Sequence, residues 1–127
     1  MKRILALLAV VITMLFALSA VAKETHGSKT AKTVTLKGEV VDAGCYLAHG
    51  ARGADHKECA TKCISGGMPM GLLTADNKFY LITLDHQNAD PYNQLKDMAS
   101  ATVELTGTTF TRNGVTSIDV TGVKPAN

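Results

Sequence analysis

Apolar and polar residues alternate over residues 33–42 (TVTLKGEVVD), which places Val34, Leu36 and Val40 on one face. That period of two predicts a strand with one side buried. Gly38 sits in its middle and predicts a bulge or a sharp bend. Two more apolar runs, 70–74 and 79–84, flank Ala75-Asp76-Asn77-Lys78. Asp and Asn accept turn backbone, so these runs predict a hairpin. A second hairpin is predicted from 101–111 and 115–122 around Arg112-Asn113-Gly114, because Asn-Gly is the strongest short turn signal. Between the hairpins, Asp90-Pro91 predicts a short helix, with Asp90 as its cap and Pro91 in its first position. Leu95, Met98 and Ala99 would face the core from it, at i, i+3 and i+4.

Residues 43–68 break the alternation. Asp55-His56-Lys57-Glu58 has the form of a helix start, with Asp55 capping and Glu58 reaching back. Gly66-Gly67 ends that helix, since glycine takes the left-handed backbone beyond a C-terminus. The predicted helix is 56–65, and Cys45 and His49 fall on the loop before it. The resulting fold class is mainly β. It is a five-stranded OB-fold-like barrel with a Cys/His-bearing helical insert after the first strand and a helix between the third and fourth strands. Gly38 suits that topology, because the first strand of such a barrel bends to serve both of its sheets. A small open sheet packed on one or two helices is the competing architecture.

The N-terminus follows a different pattern. Lys2 and Arg3 precede a 15-residue apolar run broken only by Thr13, and Ala20-Val21-Ala22 supplies small residues for a signal peptidase. This is the form of a secretory signal over residues 1–22, cut after Ala22. The run is short for a spanning helix, which needs roughly 20 residues. Residues 23–32 are polar and aperiodic, the form of a disordered tether that carries His26. Residues 33–123 form the domain. The expected location is periplasmic or secreted, with no membrane association after cleavage.

Cleavage also changes the charge. The full chain carries 13 Lys and Arg against 11 Asp and Glu, and the excess of two is Lys2 and Arg3. A neutral domain lacks the basic surface that nucleic-acid binding requires. No C-x-x-C-H stands in the chain, so haem is not indicated, and neither is a nucleotide cofactor.

The candidate chemistry lies in the segment that breaks the strand pattern. Cys45, Cys59 and Cys63 are the only cysteines and fall within 19 residues, with His49 and His56 among them. In a helix, His56, Cys59 and Cys63 share one face at i, i+3 and i+7. Cys45 and His49 are close enough in sequence to fold over it. Thiolates and imidazoles together suit Zn²⁺, and they suit Cu(I), which an exported protein meets outside the cytosol. Met68 and Met70 could add thioethers or simply pack the core. The metal ligands expected are therefore Cys45, His49, His56, Cys59 and Cys63.

An odd cysteine count in an exported chain supports a second reading. A disulfide from Cys45 to Cys59 or Cys63 would staple loop to helix, worth roughly 3 kcal/mol in the chain-entropy model. The spare thiol would then act in redox chemistry or pair with a protein partner. Catalysis is a weaker reading. A Cys-His dyad can activate a nucleophile, but no orienting group or oxyanion hole accompanies it.

The stretches GEVVDAGCY, HKECATKC, GMPMGLL and VELTGT together resemble a group of small exported bacterial proteins of unknown function. Their pattern is G-x-V-x-D-x-x-C followed by H-x-x-C-A-x-x-C, a glycine turn and two strand pairs. The resemblance covers most of residues 33–123. It implies an OB-fold-like domain and picks out Cys45, His56, Cys59 and Cys63.

Overall fold

The computed structural model describes residues 32–126. The expected signal, its cleavage point and nearly all of the tether lie outside them. The first strand, β1 (Lys32–Asp42), already includes Lys32. It is followed by helix α1 (Ala43–His49), a 3-10 turn (Ala54–His56) and helix α2 (Lys57–Ser65). Strands β2 (Met70–Thr74) and β3 (Phe79–Leu84) come next. Helix α3 (Asp90–Leu95) runs into a second 3-10 turn (Lys96–Met98), and β4 (Thr102–Arg112) and β5 (Val115–Pro125) complete the chain.

The strands close a barrel in the order β1-β2-β3-β5-β4. Closure depends on β1 serving two neighbours. Its first part pairs with β4 from Lys32↔Thr109 to Glu39↔Thr102, and its last part pairs with β2 from Gly38↔Thr74 to Asp42↔Met70. Gly38, together with Glu39, is where the two pairings overlap. A Cβ there would stand 2.6 Å from the Leu73 carbonyl oxygen, so only glycine lets the strands approach as they do. The parallel pairing of β3 with β5, from Leu81↔Ser117 to Leu84↔Val120, closes the other side. The architecture is an OB-fold-like barrel with helical inserts, in the order read from the sequence.

The inward faces of all five strands form one core. Val40, Leu72, Ile82, Val103, Leu105, Ile118 and Val120 are almost fully buried within it. Leu95 and Ala99 cover it from the β3–β4 connection, with Met98 partly buried beside them. Met70 is fully buried in the same core, so its thioether serves packing. The β4–β5 turn is Asn113-Gly114, both at positive φ (50° and 82°), the two-residue hairpin that Asn-Gly predicts.

Several local expectations are corrected. Residues 43–49 form a helix rather than a loop. Asp42, the last residue of β1, caps it by accepting from the N–H groups of Gly44 and Cys45 at 2.7 and 3.2 Å, and Gly50 ends it with φ +69°. Asp55 does not cap α2. The chain enters that helix through the 3-10 turn after Gly53, whose φ is +79°, and no side chain caps either element. Asp90 lies inside α3 and Ala89 holds the cap position, so Pro91 falls one residue deeper than expected. Strand β5 continues three residues beyond the predicted end because it keeps pairing with β4 as far as Val103↔Pro125. Among the described residues, no helix is long and apolar enough to cross a membrane.

Candidate metal centre

The site lies where α1 and α2 meet at one end of β1. Helix α2 buries Ala60 and Ile64 against the barrel. Cys59 and Cys63, one turn apart, are the neighbours of those anchors and lie at the rim. A glycine stop fixes the far end of α2: Met68 N–H donates to the Cys63 carbonyl, Gly67 N–H donates to that of Ile64, and Gly67 has φ +101°. Helix α1 is fixed by its cap and by the stacking of Tyr46 on Phe79, with ring centroids 5.6 Å apart. Phe79 in turn lies over Gly71, where a Cβ would stand 2.1 Å from its ring. The loop between the helices is tied to the barrel by Gly53 N–H donating to Glu39 Oε1 and by Arg52 donating to Asn77 Oδ1.

This framework brings the three cysteine sulfurs to 4.1–4.4 Å from one another. All three thiols are free, so the disulfide staple of the second reading is not formed. A bridge needs an S–S distance of about 2.05 Å, roughly half that separation. The centre of a triangle with these edges lies about 2.4–2.5 Å from each corner, close to the zinc–thiolate distance of about 2.3 Å. An ion at that centre needs only a small contraction of the side chains.

A second group overlaps the first. A carboxylate oxygen of Asp42, the Cys45 sulfur and an imidazole nitrogen of His56 also lie within 4.8 Å of one another. Asp42 is only 1% exposed. Its Oδ1 accepts the two amide hydrogen bonds of the cap, while its Oδ2 is buried without a partner, as is His56 Nε2. Burial pushes the Asp42 carboxyl up. The Cys45 thiol and amide, the Cys63 thiol and the Gly44 amide outweigh burial and hold it below the usual carboxylate range. The thiols face the carboxylate closely enough for this effect, yet none closes a well-formed hydrogen bond to Oδ2. The same contact with Asp42, followed by burial and the neighbouring sulfurs, pushes the Cys45 thiol up to about 12. Cys63 is raised for the same leading reason. Without a cation, the Cys45 and Cys63 thiols therefore keep their protons at neutral pH.

His49 lies in the last turn of α1, exposed, and belongs to neither group. His86 is exposed on the loop after β3, and His26 lies outside the described residues. The Met68 thioether packs against α1, where a Cβ on Gly44 would stand 2.7 Å from its sulfur. Asp42 is the residue that sequence reasoning missed. Its signal was present, since an Asp directly before Ala-Gly-Cys has the form of a helix cap, but the strand pattern running through Val41 concealed it.

The fold and the site together define a small OB-fold-like barrel with a three-thiol cluster on the insert after its first strand. The chain matches no protein-family model, no curated protein and no solved structure.

Proposed function

We propose that this protein binds a transition-metal ion, Zn²⁺ or Cu(I), through Cys45, Cys59 and Cys63 and that the ion is exchangeable. The observation carrying this reading is the convergence of three free thiols at 4.1–4.4 Å. Three soft donors around one point select soft and borderline metals. Free thiols at metal-site spacing favour an ion over a disulfide staple.

Two features support exchange rather than a purely structural role. Cys59 is exposed, so the cluster opens to solvent or to a partner's donor on one side. Structural zinc sites are closed by four protein ligands. The barrel core is also complete without the cluster, so the fold does not need the ion to replace a missing core. The N-terminal pattern of Lys2, Arg3, an apolar run and Ala20-Val21-Ala22 supports a role outside the cytosol, where Zn and Cu ions are acquired and passed between proteins.

The test is metal loading of the reduced protein, followed by removal of free ion and elemental quantification. At least one Zn or Cu per chain is expected, and the simultaneous change of Cys45, Cys59 and Cys63 to Ser should abolish it. No Zn, Cu or Ni at stoichiometric level would overturn the reading.

A further inference from the structure

We propose a second ion position, formed by Asp42, Cys45 and His56, which shares the Cys45 sulfur with the three-thiol position, so that the fully loaded protein holds two divalent ions bridged by one thiolate. The inference rests on the metal reading above and extends it.

Two buried polar atoms without partners carry it. Asp42 Oδ2 and His56 Nε2 have no hydrogen-bond partner, and both residues have ligand atoms in the group around Cys45. A buried polar group without a partner costs roughly 1–3 kcal/mol, and a charged one costs more, so two in one place require an explanation. A direct carboxylate–imidazole hydrogen bond would satisfy both, but neither atom makes one. An ion bound by these two residues and Cys45 would give both atoms a partner at once. Two donors about 2.0–2.2 Å from one zinc at a tetrahedral angle stand roughly 3.3–3.6 Å apart, with both lone pairs turned to the metal and no proton between them. The cap occupies Oδ1, so Oδ2 is the oxygen left for an ion.

The donor types separate the two positions. Sulfur alone surrounds the first, while oxygen, sulfur and nitrogen surround the second, a set suited to a borderline dication such as Zn²⁺.

The experiment titrates Zn²⁺ into the reduced, metal-free protein and counts bound ions per chain by native mass spectrometry, with circular dichroism confirming each variant's fold. Two ions are expected for the wild type. One is expected for H56A and for D42N, which keeps an Oδ1 acceptor for the cap. C59S, which touches only the three-thiol position, should retain one ion that the C59S/H56A double variant loses. A single ion in the wild type that survives both H56A and D42N would overturn the second position and leave the metal reading intact. A single ion lost in H56A would replace two positions by one four-donor site. No bound ion at all would overturn both readings.

Discussion

Asp42 joins three features at one residue. It ends β1 opposite Met70, its Oδ1 caps α1, and its carboxylate stands beside the Cys45 sulfur and the His56 imidazole. These roles separate by substitution. D42A removes the cap and should cost about 1 kcal/mol from that alone. D42N keeps the acceptor and removes the charge. The carboxyl lies below its ordinary range in the folded protein. Its contribution to stability is therefore fully present above the ordinary carboxylate value of about 3.9 and is lost as pH falls below it. Urea midpoints of the metal-free protein should show that acid loss in the wild type and lack it in D42N. Cys45 has the opposite sign. Its thiol rises from 9.0 to about 12, so its contribution is intact below pH 9.0 and is lost as pH climbs towards 12. Thiolate absorbance of the metal-free protein should therefore show one thiol ionising well above the ordinary range, and D42N should bring it down. A Cys45 that titrates normally in the wild type would contradict the contact with Asp42.

At the scale of elements, the site depends on how two short helices are seated. Helix α1 has seven residues, too few to persist on propensity alone. Tyr46 on Phe79, and Phe79 over Gly71, connect its position to the β2–β3 hairpin. A G71A substitution would place a methyl inside the Phe79 ring. Overpacking of this kind costs roughly 1–3 kcal/mol, and here it should also shift Tyr46 and Cys45 and weaken Zn²⁺ binding. Competition with a chelator measures that loss; unchanged affinity in a folded but destabilised G71A protein would show that α1 is seated independently. Elements long enough to show a period were legible in the sequence. The five strands, both hairpins and the stop at Gly66-Gly67 follow from alternation or turn chemistry, while α2 was read from a cap at Asp55 that the structure does not form. Helix α1 was not legible, because Ala-Gly-Cys-Tyr-Leu-Ala-His is short, holds a glycine and follows directly on a strand. The three cysteines were legible as a cluster from their spacing. Their partner Asp42 was hidden because a strand's last residue also served as a cap, and His49, close to Cys45 in sequence, lies in neither group of donors.

For the whole molecule, none of the three cysteines belongs to the hydrophobic core, to which α2 contributes Ala60 and Ile64, so folding and metal binding should be separable. Chelation should leave the strand signal and a cooperative unfolding transition in place. The bound ion should add stability only by mass action, about 2.7 kcal/mol at a hundredfold excess over Kd. Collapse of the fold on chelation, as in small zinc domains, would contradict that division. The most direct test of the central claim, that three free sulfurs converge on one ion, is a count of alkylated thiols by mass spectrometry with and without one equivalent of Zn²⁺. The account predicts three modified cysteines in the metal-free protein and joint protection of Cys45, Cys59 and Cys63 in the loaded one. A pair already oxidised in the metal-free protein, or three thiols that react equally fast with the ion present, would contradict it.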